Sequence, residues 1–320
     1  MLNTRKVAII GVGNVGATTA YALAQSGLFS EMVLIDIDQK RTAGEAEDLS
    51  HAIPFLSPIE IYAGDYRDLS DAAIIVITAG AAQKGAQTRL DLIHGNLPIF
   101  KHIIGDICRY NTEAILLVVT NPVDILTEIT RRLSGFPAHR VIGSGTVLDT
   151  ARLKFLLGKR LSVDMRQVHA FIIGEHGDSE LPVFSSANIS GLDLAHFCGE
   201  ERGACSDADL ENLFIRTRDA AYSIIRAKGS TYYGIAEATR RIVTAICRDE
   251  SAILPVSVAP EGAYGLSDIS ISLPAILGRE GVKRVLQMPL SDEEWGMLRR
   301  SAAQMRGVLD EVLPILPIQH

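Results

Sequence analysis

Val7-Ala8-Ile9-Ile10-Gly11-Val12-Gly13-Asn14-Val15-Gly16 is the stretch from which the fold is read. Its apolar start suits a buried strand, and the apolar run after Gly16 suits a helix. Between them, Gly11 permits a tight turn, Gly13 lets backbone approach an anion, and Gly16 lets the helix pack closely on the strand. The first N–H groups of a helix have no partners within it, so the turn is suited to a pyrophosphate. A glycine pattern alone is a weak signal and also fits a plain βα turn. Here a second apolar strand, Met32-Val33-Leu34-Ile35, ends at Asp36, twenty residues beyond Gly16. A carboxylate at that point can accept hydrogen bonds from an adenosine ribose and repels a 2′-phosphate, which favours NAD over NADP. Gly11, Gly13, Val15, Gly16 and Asp36 are the candidate cofactor residues.

The 320 residues are 47% hydrophobic and 22% charged, ordinary for a soluble globular protein of about two domains. The net charge, 31 − 38 = −7, gives no basic field for nucleic acid or an anionic membrane. Cys108, Cys198, Cys205 and Cys247 form no Cys-x-x-Cys pair and read as reduced thiols in a cytoplasmic protein. Arg5-Lys6 before an apolar stretch imitates a secretory signal, but the phosphate-binding glycines interrupt it and a second strand follows. No apolar run reaches the roughly 18 residues of a transmembrane helix.

Apolar strands alternate with helical segments through the first 140 residues or so. An amphipathic stretch from Arg41 to Ile53 stops at Pro54. Strands are expected over Ile59–Ala63, Ala73–Ile77 and Ile115–Val119, with a helix over Leu90–Tyr110 and a last strand at Val141-Ile142. Nearly continuous apolar strands separated by helices mean a parallel sheet covered on both faces. Beyond Gly143 come a helix over Leu148–Leu161 and strand-like runs Gln167–Ile173 and Leu181–Phe184. A long helix then carries Leu210, Leu213, Phe214, Ala221, Ile224 and Ile225 as far as Lys228-Gly229-Ser230, and another carries Ile235, Ile242, Val243 and Ile246. Strands follow at Ile253–Val258 and Ile269–Leu273. The last helix opens with the capping box Ser291-Asp292-Glu293-Glu294. Its stripe from Trp295 to Val312 fits packing on its own domain or a subunit contact. The expected fold is α/β: a Rossmann doubly wound parallel sheet over 1–143, then an α+β catalytic domain over 144–320.

Four stretches carry polar residues where loops or element ends are expected. Gly80 to Arg89 follows an apolar strand at the carboxyl edge of the sheet, where ligands bind, and its small residues suit a mobile lid or a solvated loop. Thr120-Asn121-Pro122 ends another strand, with an amide able to bond a carbonyl. Asp149 and Arg152 stand three apart on one helix face, as a surface ion pair or as paired site groups. Gly174-Glu175-His176-Gly177-Asp178 places a histidine, the side chain suited to proton transfer near neutral pH, between glycines. Its acids do not match the His-Glu-x-x-His metal spacing, so no metal is expected.

With these motifs in order, the chain resembles the bacterial L-lactate dehydrogenases of the lactate/malate dehydrogenase family over essentially its whole length. The resemblance rests on Ile10 to Gly16, Gln83-Lys84 with Thr88 to Leu92, Thr120 to Asp124, Leu148 to Arg152, Gly174 to Asp178 and Lys228 to Ala236. It implies reversible hydride transfer between NADH and pyruvate, with a place in glycolysis and fermentation. His176 is implied as acid/base, Asp149 as the acceptor that fixes its tautomer, and Arg152 as the bidentate grip on the substrate carboxylate. Arg89 would arrive on the closing loop, Asn121 would bond near the reacting oxygen and contact cofactor, and Thr231 and Ile235 would line substrate and nicotinamide.

Gln83 stands where lactate-specific relatives have a neutral amide and malate-specific ones an arginine. Oxaloacetate would bring an unpaired anion into the closed site, at a cost of roughly 3–5 kcal/mol. The alternatives are a malate or other 2-hydroxy acid dehydrogenase, or a non-catalytic NAD-binding redox sensor. Two departures stand out. Gly85-Ala86-Gln87 replaces the usual Pro-Gly-Glu of the lid. Lys154 and His169 occupy positions where many relatives bind fructose 1,6-bisphosphate with an arginine and a histidine, and lysine lacks the bidentate fork. The resemblance further implies a homo-oligomer, a tetramer or a dimer that tetramerises with an effector.

Overall fold

The computed structural model describes residues 5–81, 89–200 and 206–315. In the first half, β1 (Lys6–Ile10), α1 (Asn14–Gln25), β2 (Glu31–Ile35), α2 (Gln39–Ala52), β3 (Glu60–Ala63) and β4 (Ile74–Ile77) lead to α3 (Arg89–Tyr110). β5 (Ile115–Val118), α4 (Val123–Ser134) and β6 (Val141–Gly143) complete it. The second half opens with α5 (Val147–Leu161), β7 (Val168–Ile173), β8 (Leu181–Ile189), β9 (Leu192–Asp193) and α6 (Leu194–Glu200). It continues through α7 (Asp207–Arg218), α8 (Ala220–Lys228), α9 (Tyr233–Cys247), β10 (Ala252–Val258), β11 (Ile271–Gly278), β12 (Gly281–Val285) and α10 (Asp292–Val312).

The first six strands pair in parallel in the order β3-β2-β1-β4-β5-β6, the doubly wound arrangement expected from their unbroken apolar runs. The order reverses between β1 and β4, so a crevice opens at their carboxyl ends, where the glycine turn lies. One expectation is corrected here. β6 is not the last strand: β10 pairs with it antiparallel through Ser257 and Gly143, and β11 and β12 extend the sheet. The signal was missed because β10 to β12 stand far along the chain, and nothing local tells a strand which edge it will join.

β7, β8 and β9 form a separate antiparallel sheet. Leu153, Leu157 and Leu161 of α5 stand one helical turn apart and bury against Val168, Ala170 and Ile172, which alternate on β7. The two sheets are joined where Gly174 and Ser272 exchange backbone hydrogen bonds of 2.9 and 3.1 Å. That bridge sets the loop after β7 against the large sheet.

The helix expected to run from Leu210 through Ile225 is instead two, α7 and α8, broken at Asp219. α8 buries none of its residues in this chain, so the helical spacing of Ala221, Ile224 and Ile225 does not mark core. α10 has both reciprocal bonds of its capping box, and Leu298, Ala302, Met305 and Leu309 pack into the main core. Of the cysteines, Cys108 and Cys247 are free, but Cys198 is disulfide-bonded, which corrects the expectation of reduced thiols there. No helix among the described residues is long and apolar enough to cross a membrane.

α4 was not singled out from the sequence, yet most of its residues are buried. Glu128 is fully buried on it and holds Arg131 Nη2 at 2.7 Å, Arg132 Nε at 2.6 Å and Ser270 Oγ at 3.0 Å. Burial pushes this carboxyl up, but the two guanidiniums outweigh it and keep it below the usual range. Glu128→Ala strands both arginines and is expected to cost about 3 kcal/mol, low for a broken buried pair because the arginines can rehydrate. Chemical unfolding of the purified protein measures it; a loss under about 1 kcal/mol would show the cluster is dispensable.

Candidate active site

The glycine turn is held from three sides. Gly11 N–H donates to the Ile35 carbonyl (2.8 Å), Thr78 Oγ1 donates to the Gly11 carbonyl (2.6 Å), and Val12 N–H donates to Asp36 Oδ2 (2.6 Å). Gly11 has φ +98°, and a Cβ there would run into the backbone of Ala79. A Cβ on Gly16 would collide with the Gly11 carbonyl oxygen, so only glycine lets α1 pack this closely. By contrast, nothing lies within 4 Å of a Cβ built at Gly13, and α1 starts there without a side-chain cap. The helix start therefore offers uncapped N–H groups beside open space, with Val15 half-buried in its first turn and Asp36 at the end of β2. These residues fit a dinucleotide. Thr78, which secures the turn, was missed because a lone threonine after a strand carries no motif.

Across the sheet, α5 and the loop after β7 meet. Asp149 is 1% exposed on α5 and divides its carboxylate between two cations. Oδ2 bonds His176 Nδ1 at 2.6 Å, and Oδ1 accepts from Arg152 Nη1 at 2.7 Å. The sequence offered an ion pair or a site as readings of Asp149 and Arg152; the two groups form the ion pair, and it lies inside a cleft. That cleft, about 340 Å³, is lined by Asn121, Asp149, Arg152 and His176 among others. With Nδ1 held by Asp149, Nε2 is the ring nitrogen left for a ligand. Arg152 has further N–H donors beyond the one given to Asp149.

The backbone of His176 is fixed separately. Its N–H donates to Asp124 Oδ2 at 2.7 Å, while Asp124 Oδ1 accepts from Ser272 Oγ at 2.9 Å. Asp124 is 1% exposed, and burial pushes its carboxyl up to about 6. Asn96, fully buried in α3, accepts from Ala81 N–H (2.7 Å) and donates to the Asn121 carbonyl (3.2 Å), joining the chain just after β4 to the cleft. Neither Asp124 nor Asn96 was assigned a role from sequence, since both lie on helices and act through backbone groups remote in the chain.

Other expected site residues lie elsewhere. Thr231 and Ile235 are half-buried and do not line the His176 cleft; Asn14 Nδ2 donates to Ser230 Oγ at 3.0 Å, which puts their segment beside the glycine turn. Lys154 on α5 is half-buried, and burial lowers its ammonium pKa, while His169 is exposed on the neighbouring β7. Gln83 and the side chain of Arg89 lie outside the described residues.

Burial opposes the His176 imidazolium, but the Asp149 carboxylate outweighs it and pushes the histidine up to about 9. Asp149 is itself pushed up by burial yet held below its usual range by His176 and Arg152. A histidine raised on folding stabilises fully below its unfolded value, near 6.5, and loses that contribution as pH rises through about 9. Across that window the wild type is expected to lose stability relative to His176→Asn, by up to about 1.4 kcal/mol per pH unit. Unfolding midpoints of both proteins between pH 6 and 10 check this, and parallel curves would contradict the coupling.

A glycine turn shaped for a dinucleotide and an aspartate–histidine–arginine cleft define the class as a nucleotide-dependent dehydrogenase. Residues 5–143 match the family model for the NAD-binding domain of lactate/malate dehydrogenase, and residues 146–315 match that for its α/β C-terminal domain. An L-lactate dehydrogenase of Acetivibrio thermocellus is 51% identical over 95% of this chain and 96% of its own. L-lactate dehydrogenase 1 of Clostridium acetobutylicum is 46% identical over 98% of this chain and all of its own. The solved minor L-lactate dehydrogenase of Enterococcus mundtii, with ligands bound, superposes with a TM-score of 0.93 at 39% identity, covering 97% of this chain and 98% of that one. The chain belongs to the lactate/malate dehydrogenase family and is an NAD-dependent oxidoreductase.

Proposed function

We propose that this chain is an L-lactate dehydrogenase, interconverting pyruvate and (S)-lactate, with residues 1–143 as the NAD-binding unit and 144–320 as the catalytic one. The observation that carries the chemistry is the single buried carboxylate of Asp149 shared by His176 and Arg152 in one cleft. The relatives named L-lactate dehydrogenase support the substrate.

Asp149 keeps a proton on Nδ1 and favours the imidazolium, so Nε2–H is the donor to the keto oxygen as negative charge develops there. NADH supplies the hydride that arrives at C2. In the reverse direction neutral Nε2 takes the hydroxyl proton of lactate. The remaining N–H groups of Arg152 receive the substrate carboxylate in two parallel bonds, which turns C2 toward the cofactor. Asn121 bonds near the reacting oxygen. Arg89, carried by the segment from Gly80 to Leu90, polarises the carbonyl and excludes water. Gly11, Gly13, Val15, Gly16 and Asp36 hold the dinucleotide, with Thr231 and Ile235 along its nicotinamide end.

Gln83 sets the preference for pyruvate. Gln83→Arg is expected to shift kcat/KM toward oxaloacetate; an unchanged ratio for the two keto acids would refute that role. The enzyme is assigned to the cytoplasm and to glycolytic fermentation, as a homo-oligomer, a tetramer by family resemblance. Lys154 and His169 stand on adjacent elements and form a weakened site for fructose 1,6-bisphosphate, because burial disfavours the Lys154 cation and lysine offers no fork. One NADH-coupled assay over pyruvate, oxaloacetate and 2-oxoisocaproate, with and without the bisphosphate, tests the whole reading. No turnover of pyruvate would overturn it, and an unmoved pyruvate KM would rule out activation.

A further inference from the structure

Asp124 is a buried acid that reaches the active site without entering it. It is 1% exposed in the first turn of α4, three residues after Asn121, and does not line the His176 cleft. No step of the reaction above passes through it. Both of its oxygens are nevertheless committed to holding the segment that carries the histidine. Oδ2 accepts from the His176 N–H at 2.7 Å, and Oδ1 accepts from Ser272 Oγ at 2.9 Å. Ser272 in turn exchanges backbone bonds of 2.9 and 3.1 Å with Gly174. Gly174, Ser272, Asp124 and His176 thus form a closed circuit that ties the loop after β7 to α4 and β11.

The loop needs such a tie. Gly174 and Gly177 flank His176 with φ +90° and +141°, so the local sequence leaves this stretch free to turn. At its far end the side chain is held through Nδ1 by Asp149 at 2.6 Å. A ring held at one atom can pivot about that bond and swing Nε2. A second hold at the backbone nitrogen removes that freedom. Because α4 is buried along most of its length, Asp124 supplies the hold from a fixed element. The same helix start brings Asn121 to the cleft, so one turn of chain places both the amide and the imidazole. An ionised carboxylate is the strong form of such an acceptor, with bonds about twice as strong as neutral ones. Burial pushes the Asp124 carboxyl up to about 6 against the pull of the His176 N–H and the Ser257 and Ser272 hydroxyls, so it is ionised at neutral pH.

We propose that Asp124 is a positioning residue for the reaction: by accepting the His176 N–H it fixes where Nε2 meets the keto oxygen, and so sets the rate of the chemical step. Asp124 itself exchanges no proton with the substrate. The proposal rests on the assignment of His176 as acid/base made above.

The test compares Asp124→Ala with Asp124→Asn in single turnovers, the NADH complex being mixed with saturating pyruvate and rates counted per NADH-binding site so that unfolded molecules drop out. Asparagine keeps a carbonyl oxygen for the His176 N–H and an amide donor for Ser272 Oγ; alanine keeps neither. Both variants lack the charge, so its effect on the imidazolium cancels between them. A misplacement of about 1 Å costs on the order of 10²-fold in rate. Asp124→Ala is therefore expected to turn over about 10²-fold more slowly than Asp124→Asn, with the pyruvate KM of both, set by Arg152, within threefold of wild type. A difference in rate under tenfold would overturn the proposal, as would a loss carried by KM instead. If either variant fails to bind NADH, Ser272→Ala decides, since it frees Asp124 Oδ1 by removing a single hydroxyl. Slowing by more than threefold then supports the proposal, and less overturns it. Absence of pyruvate turnover in the wild type would overturn the assignment of His176 itself, and this proposal with it.

Discussion

Replacing His176 with asparagine is expected to lower kcat for pyruvate reduction by about 10⁴-fold while leaving NADH affinity near that of the wild type. The imidazole does two things that an amide cannot. It delivers a proton to the keto oxygen, worth about 10²–10⁴-fold by itself, and as a cation it stabilises the alkoxide before transfer is complete. Both depend on the 2.6 Å bond to Asp149, which keeps the ring charged at neutral pH. Asparagine still offers a donor to Asp149, so the buried carboxylate is not left bare and the fold should persist. Steady-state kinetics together with NADH fluorescence titration measure the two quantities. A folded variant within tenfold of the wild-type kcat would mean that the proton comes from elsewhere.

Arg152→Lys is the second large effect, expected at roughly 10³-fold in kcat/KM for pyruvate. The guanidinium is committed twice: one N–H is on Asp149, and the others, which have no partner among the described residues, are donors for the substrate carboxylate. Lysine presents a point charge that can keep the Asp149 contact or approach the substrate, but not grip both. Losing one partner of a buried, hydrogen-bonded charge pair costs about 4 kcal/mol, and each 1.4 kcal/mol is tenfold. The loss should fall mainly on KM, since the acid–base couple survives. A KM unchanged within threefold would show that the carboxylate is held by another group.

Much of the nucleotide half was legible because its signals are local. Strand, turn, helix and acid follow one another between Lys6 and Asp36, and Gly11 and Gly16 answer steric demands met within that unit or by the strand end beside it. The catalytic trio was legible in a different way. Asp149 and Arg152 share a helix face by spacing alone, and His176 is marked by the glycines around it, but their meeting was supplied by resemblance and not by pattern. The expectation failed where a role depends on a distant partner. Val141-Ile142 has the apolar look of a terminal strand, yet β10 continues the sheet beyond it. Ala221, Ile224 and Ile225 repeat like a core stripe, yet α8 turns at Asp219 and leaves them out of the core.

What the amino-acid order determines by itself is the parallel sheet, the cofactor turn and the identity of the groups able to move a proton, because periodicity and steric allowance act over a few neighbouring residues. Only the tertiary structure decides that one carboxylate serves both His176 and Arg152, that Asp124 clamps the histidine's backbone from another helix, and that Glu180 comes within 4.8 Å of Asp149 and His176 with no partner for its Oε1 among the described residues. Those facts concern charges brought within a few ångströms from separate parts of the chain, in surroundings that exclude water. Burial of that kind, which sets how strongly each proton is held, comes into being only when the two sheets dock.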